Sequence, residues 1–190
     1  MTDEQVHAML VRPLRELTSV EIQPYAESVL LTVGTEADYM YYLPRIWEVS
    51  LEEWARWYPN PPVVFGRLRK VDWRSWDRAK VSAIDDLLQA IFERNVVNAE
   101  DGRMVDSWLC ALACCVSDEV FVGMLSELDR SPGPLLHLRA HTDPKSRGVR
   151  LGAFWDDVPE RRDLVRDLMT SGRALALLQS GFQGCSDFPA

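Results

Sequence analysis

The most specific chemical pairing in the sequence consists of two cysteines and two histidines. Cys110 and Cys114 fall on one predicted helix, and His137 and His141 fall on another. A spacing of four residues places both members of each pair on one helical face. If the two helices were antiparallel neighbours, two thiolates and two imidazoles would complete a tetrahedral structural zinc site. The sequence admits this zinc site without requiring it, because buried cysteines also serve as small apolar core residues.

Catalysis by these residues has little support in the sequence. The segment HLRAH at 137–141 lacks the glutamate that a zinc protease uses as its general base. Cys114 or Cys115 with His137 as base is a further arrangement, although apolar surroundings disfavour the ionised thiol. The sequence contains no GxSxG elbow, phosphate-binding glycine loop or dinucleotide fingerprint. We therefore expect a non-enzymatic protein without a cofactor, and keep a metal-stabilised or thiol-dependent enzyme using Cys110, Cys114, His137 and His141 as the alternative.

A basic, tryptophan-containing segment is a second candidate site. Its cations are Arg67, Arg69, Lys70, Arg74, Arg78 and Lys80. They are interleaved with Trp73 and Trp76, and arginine with tryptophan can bind phosphates and stack on bases. The chain as a whole has a net charge of -8, from 29 acidic and 21 basic residues, and repels nucleic acid. We therefore predict a solvated basic surface here, and a basic protein as the easier partner.

The elements that must position these residues are helical. Apolar residues recur at helical spacing along most of the chain, and Thr18 with Glu21 and Thr35 with Asp38 have the spacing of capping boxes. The segment 101–116 is nearly all apolar, which predicts a buried helix. We predict an all-α protein of eight or nine short helices, as an irregular bundle or as stacked helical hairpins resembling an α-solenoid. Residues 1–181 are predicted to form one helical domain, followed by a C-terminal tail at 182–190.

The densest aromatic segment of the chain is DYMYYLPRIWEVSLEEWARWYPNPP, at 38–62. Its apolar positions share one helical face: Tyr39, Tyr42, Leu43, Ile46 and Trp47. Pro44 lies inside this pattern and predicts a kink or a helix that restarts there. Ser50 with Glu53 predicts the cap of a following helix that carries Trp54 and Trp57.

The opposite side of this segment is the predicted partner surface. Tryptophan, tyrosine and arginine commonly anchor protein interfaces. We expect most of the seven tryptophans to lie in the core and the remainder, with the arginines, to form an exposed edge. The residues predicted to bind a partner are Tyr41, Arg45, Glu48, Arg56 and Trp57.

Composition sets the remaining expectations. A chain of 190 residues with 47% hydrophobic residues can bury a substantial core. The N-terminus, MTDEQVHAML, lacks a basic region followed by an apolar run, and no stretch approaches the roughly 18 apolar residues of a membrane span. Four cysteines, three of them within six residues, do not predict a disulfide framework. We expect a cytoplasmic protein that does not enter a membrane.

The segment DYMYYLPRIWEVS resembles a group of uncharacterised bacterial proteins of about this size. The resemblance rests on its acidic residue, its aromatic run and its Leu-Pro-Arg step, and it extends to Phe154-Trp155 and to the leucine-rich ALALLQ. It implies a bacterial, cytosolic, helical protein and carries no known activity. The functional prediction is therefore the binding of another protein, with neutralisation of a basic toxin by an immunity-type protein as one concrete form.

Overall fold

Nine α-helices carry the fold over the residues that the computed structural model describes, 2–141 and 151–171, and no β-strand occurs among them. The helices are α1 (Asp3–Val11), α2 (Ser19–Ser28), α3 (Glu36–Glu52), α4 (Pro61–Gly66), α5 (Arg78–Ile91), α6 (Gly102–Ala113), α7 (Asp118–Leu128), α8 (Pro132–His141) and α9 (Pro159–Thr170). Four 3₁₀ turns and a π-helical turn at Phe92–Val97 connect or extend them. The predicted all-α class and helix number are confirmed.

The chain divides into two compact units, at 1–76 and 77–190. The first contains α1 to α4, and the second contains α5 to α9. The prediction of one helical domain over 1–181 stays a prediction. Its predicted tail at 182–190 and the segment ALALLQ lie outside the described residues.

Capping boxes begin the first three helices. The Thr18 hydroxyl accepts from the backbone N–H of Glu21, whose carboxylate accepts in return from the Thr18 N–H, and Thr35 with Asp38 does the same at α3. Thr2 starts α1 in the same way. These reciprocal bonds satisfy backbone donors that a helix start leaves unpaired. The capping boxes predicted at Thr18 and at Thr35 are confirmed.

The core of the first unit lies along the inner face of α3. Tyr39, Tyr42, Leu43, Ile46 and Trp47 are all buried, as their shared spacing predicted. Helix α3 packs against α2 and α4, and the Trp47 ring stacks on the Phe65 ring of α4 with centroids 4.9 Å apart. Burying one helical face in this way is the main source of a helix's stability in a folded protein.

Two predictions about the aromatic segment have different outcomes. Helix α3 continues through Pro44 to Glu52, so the predicted restart at the proline is wrong, and a kink there stays a prediction. Pro44 is exposed on the outer face, where the backbone group that it leaves without a partner can meet water. The prediction of a new helix capped by Ser50 is wrong, because Ser50 is itself buried inside α3 and the chain leaves the helix at Glu53.

A tight turn with a glycine links α2 to α3. Gly34 has a φ of +75°, in the left-handed region that side chains rarely adopt. A Cβ atom on Gly34 would also lie 2.8 Å from the Tyr25 hydroxyl. Glycine is required here for both reasons, and it lets the turn close against the buried Tyr25 ring.

Helix α6 is the centre of the second unit. It packs against α8 and against the π-helical turn at Phe92–Val97, and Trp108, Leu109, Ala111 and Leu112 are all inaccessible to solvent. The prediction of a buried helix over 101–116 is confirmed, although the helix itself ends at Ala113. A helix that is apolar on nearly all sides must lie inside the fold.

Polar side chains attach the surrounding segments to α6. The buried Asp106 carboxylate accepts hydrogen bonds from the Trp155 indole N–H at 2.8 Å and from the Gly152 backbone N–H at 3.0 Å. From α9, Arg161 donates to the Ala113 carbonyl at the end of α6 and to Asp118 at the start of α7. The buried Asp106 carboxylate and the Arg161 guanidinium thus both have hydrogen-bond partners, as buried polar groups usually do.

None of the helices described at 2–141 and 151–171 combines the length and apolar character needed to cross a membrane.

Candidate functional site

An open groove beside α3 is a concave feature of the first unit. It has a volume of about 380 Å³ and is lined by Leu14, Arg15, Pro44, Arg45 and Glu48. We call it the Arg45 groove. The first two lining residues belong to the 3₁₀ turn Leu14–Glu16, and the other three belong to α3. The groove exists because this turn packs against the outer part of α3.

Arg45 is held rigidly in the groove. Its Nε donates to the Leu17 carbonyl at 2.7 Å, and its Nη1 lies 2.6 Å from the Glu48 carboxylate. The Arg45 side chain is 16% exposed, whereas that of Glu48 is 47% exposed. The Arg45 end of the ion pair is thus largely buried, and the Glu48 end reaches solvent. Such a guanidinium is fixed in direction before any ligand arrives.

Tyr41 extends the same face of α3. Residues 41, 44, 45 and 48 are three or four positions apart, so they lie along one side of the helix. Tyr41 is 58% exposed, and its ring meets the buried Tyr42 ring edge-on with centroids 4.9 Å apart. A ring held by one aromatic neighbour and open on its other side is a ready contact for a partner.

The other two predicted partner residues lie in the turn after α3. Arg56 is exposed. Trp57 is buried, and its indole N–H donates to the Ser19 carbonyl at 3.0 Å. The prediction of an exposed Trp57 is therefore wrong, because its ring packs inward and joins this turn to the start of α2.

No tryptophan of the chain is exposed. Five of the seven are buried, and Trp54 and Trp76 are half-buried. The prediction of an exposed edge that contains tryptophans is wrong. The first unit alone buries Trp47, Trp57 and Trp73 in its core. Tyr41 is the large aromatic that projects from α3.

Cys110, Cys114 and His137, the predicted zinc ligands whose side chains are described, do not form a common site. Cys110 and Cys114 are buried, whereas His137 is exposed although α6 packs against α8. The residues that α8 buries beside His137 are Leu135 and Leu138. His141 ends α8, and its side chain lies outside the described residues. Over the described chain, no cluster of three or more His, Cys, Asp or Glu side chains is arranged to hold a metal ion.

The cysteines are also poor nucleophiles. A hydrogen bond with the Cys114 side chain, together with burial, raises the pKa of the Cys110 thiol far above its ordinary value. Cys115 is buried and donates to the Ala111 carbonyl at 3.1 Å. The Cys110 thiol therefore stays protonated at neutral pH, and a protonated thiol attacks slowly. These cysteines behave as apolar core residues.

The basic segment lacks an exposed stacking surface. Trp73 is buried, with the Arg74 guanidinium 4.2 Å above its ring, and the Trp76 indole donates to Glu36 at 2.6 Å. Arg67 donates to the Glu27 carbonyl, so its side chain also serves the fold. Arg69, Lys70 and Arg74 are exposed cations of this unit. The arrangement matches the predicted solvated surface.

Sequence reasoning placed Arg45 and Glu48 at the site and missed Leu14 and Arg15. The two sets are separated by about thirty positions, and nothing in the local pattern connects a short 3₁₀ turn with the outer face of α3. Only the packing of this turn against α3 brings them together.

No family model, curated protein or solved structure matches the chain.

Proposed function

We propose that this protein binds another protein through the outer face of α3, with Tyr41 as the apolar anchor and the Arg45 groove beside it. The observation that supports the proposal is the combination of a 58% exposed tyrosine and a pre-organised Arg45–Glu48 pair on one helical face. Interfaces use aromatic and arginine anchors of this kind, surrounded by polar contacts.

The helix itself favours this role. Tyr41 is attached to a stretch of α3 whose other side is fully engaged in the core. A rigid element that presents a side chain loses little conformational freedom when a partner binds. The proposed surface thus combines an exposed contact with a firm support.

We further propose that the partner is a basic protein and that the binding neutralises it, as an immunity-type protein neutralises a toxin. The net charge of -8 supports the attraction of such a partner. Opposite net charge raises the association rate at low ionic strength.

The first experiment places a photo-crosslinking amino acid at position 41 in cells that naturally produce the chain. We expect one protein to crosslink at position 41, and none to crosslink from position 164. Leu164 is the matched control because it is a 42% exposed apolar residue on a different helix, α9. Equal crosslinking from both positions, or none from position 41, contradicts the proposal.

The second experiment measures affinity for the purified crosslinked partner by calorimetry. Truncating an anchor commonly costs about 2 kcal/mol or more of binding free energy. Tyr41→Ala should therefore weaken binding at least about tenfold, since 1.4 kcal/mol corresponds to a factor of ten. Leu164→Ala should leave the affinity within about twofold, because it lies away from the proposed face. An unchanged affinity for Tyr41→Ala removes this residue from the interface.

An enzyme using the Cys and His pairs is not proposed. Cys110 and Cys114 are buried and His137 is exposed, so the described residues do not bring a thiol and an imidazole to one accessible place.

A further inference from the structure

We propose that the Arg45 groove binds a carboxylate group of the partner protein, with an apolar side chain of the same segment against Leu14 and Pro44. This inference rests on the proposed function, because it names the chemistry that the same surface recognises. The groove's lining gives the grounds: two arginines, one glutamate that is already paired, and two apolar residues.

Arg15 provides a free cation. It is exposed and has no hydrogen-bond or ion-pair partner among the described residues. An arginine fork matches the geometry of a carboxylate and binds it through two parallel hydrogen bonds. Arg15 is therefore available to an incoming acidic group without first breaking an internal contact.

Arg45 provides the fixed donor. Two of its nitrogens are engaged, Nε with the Leu17 carbonyl and Nη1 with Glu48, and its Nη2 group makes no bond within the described residues. Because the guanidinium is already oriented, a ligand does not have to immobilise it. Arg45 can thus add a directional bond to the charge that Arg15 supplies.

The local charge determines the sign of the ligand. The lining holds two cations and one anion, in contrast to the net charge of -8 for the whole chain. Glu48 is neutralised by Arg45 at 2.6 Å, so an incoming cation would meet the unpaired Arg15. Like charges brought together at an interface are unfavourable, and opposite charges fix the register of binding.

The apolar wall determines what accompanies the carboxylate. Leu14 and Pro44 offer aliphatic surface beside the two arginines. The groove volume of about 380 Å³ lies within the range of about 300–1,000 Å³ that is usual for ligand clefts. An acidic residue next to a leucine-like residue would use both surfaces, so we infer this kind of segment in the partner.

The experiment is an NMR titration of the full chain with two blocked pentapeptides, Gly-Leu-Glu-Leu-Gly and Gly-Leu-Gln-Leu-Gly. At about 5 mM peptide, even a Kd of about 1 mM fills most sites. We expect the glutamate peptide to shift the Arg15 amide and the Arg45 Nε–H resonances, with at least fivefold weaker binding of the glutamine peptide. Raising the salt concentration should reduce this preference, because it screens exposed charges.

Matched variants locate the effect. Arg15→Ser should abolish the preference for the glutamate peptide, and Arg78→Ser, which removes an exposed arginine from α5, should leave it unchanged. Equal binding of both peptides, no binding of either, or a preference that survives Arg15→Ser overturns the inference.

The outcome is separable from that of the proposed function. If neither peptide binds but Tyr41→Ala still weakens binding of the purified partner, the protein-binding surface is supported and the inferred recognition of a carboxylate is wrong. If the glutamate preference is found but no protein crosslinks at position 41, the groove recognises acidic groups and the proposed function is wrong.

Discussion

The outer face of α3 and the cysteine face of α6 both carry polar or reactive residues at helical spacing, yet only one of them reaches solvent. Arg45 and Glu48, three residues apart, form an ion pair at the rim of an open groove. Cys110 and Cys114, four residues apart, are free thiols that share a hydrogen bond inside the core. A spacing of three or four residues along a helix therefore says which side chains are neighbours, and says nothing about whether a ligand can reach them.

The residues around each pair explain why one pair reaches solvent and the other does not. Around Cys110 the helix is apolar on nearly every side, and Leu109, Ala111 and Leu112 are all inaccessible to solvent. Around Arg45 the helix is amphipathic, with its apolar residues restricted to the inner face. A one-sided apolar stripe leaves the other side to solvent.

The largest expected effect concerns access to the thiols. In a chain carrying Cys185→Ser, which removes the thiol outside the described residues, DTNB should label Cys110, Cys114 and Cys115 only when the protein opens. Even about 5 kcal/mol of stability would slow native labelling by roughly a thousandfold or more relative to the unfolded chain. The measurement is the rate of absorbance increase with and without denaturant. Native labelling as fast as in the unfolded chain would make the thiols accessible and erase the contrast between α6 and α3.

The next effect separates buried from exposed aromatics around α3. Trp57→Ala should lower the free energy of unfolding by about 3–5 kcal/mol, because it removes a buried ring. Trp57→Phe keeps an aromatic ring in the core but removes the donor to the Ser19 carbonyl. The lost hydrogen bond should by itself lower the free energy of unfolding by about 1 kcal/mol. Tyr41→Ala should change stability by less than about 0.5 kcal/mol, as is usual for an exposed site. Urea unfolding tests all three; a fully stable Trp57→Ala chain would contradict the burial of this residue.

A smaller effect tests the surroundings of Asp106, the buried charged residue of α6. Gly152→Ala would place a Cβ atom 2.8 Å from the Asp106 carboxylate, so we expect a loss of about 1–3 kcal/mol in the free energy of unfolding. The Gly152 φ of -58° suits alanine, so the loss would come from this contact alone.

The matched control is Gly123→Ala on α7, where a Cβ meets no atom within 4 Å. Alanine in a helix interior is favoured over glycine by about 0.5–1 kcal/mol, so this variant should be more stable than the wild type. Comparable destabilisation of both variants would show that the Asp106 contact is not the cause.

The smallest effect concerns acid and the start of α3. Hydrogen bonds from the Thr35 backbone N–H and hydroxyl lower the pKa of Asp38 below its ordinary value of 3.8. A carboxyl whose pKa is depressed by folding stabilises the protein above the unfolded pKa, and this contribution disappears as the pH falls through the folded pKa. Asp38→Asn should therefore be less stable than the wild type at pH 6, and the difference should shrink below about pH 4. Urea unfolding at several pH values measures it; a constant difference would contradict the depressed pKa.

Local signals in the sequence determined much of the fold. The threonine caps at Thr18 and Thr35, the inner face of α3 and the apolar continuity of 101–116 each depend on residues within a few positions of one another. The physical causes, backbone hydrogen bonding and one-sided burial, act over one or two turns of helix. Sequence reasoning therefore predicted the all-α class, the first residues of α2 and α3, and the buried faces of α3 and α6.

The tertiary structure alone decided which suggestive residues face solvent and which distant residues share a surface. Trp57 lies inside the core, where its indole donates to the Ser19 carbonyl, and His137 is exposed whereas the cysteines of α6 are buried. Arg15 joins Arg45 because a short turn packs against α3 from thirty positions away. Contacts between distant segments depend on how the helices pack, and the spacing within one helix carries no record of that packing.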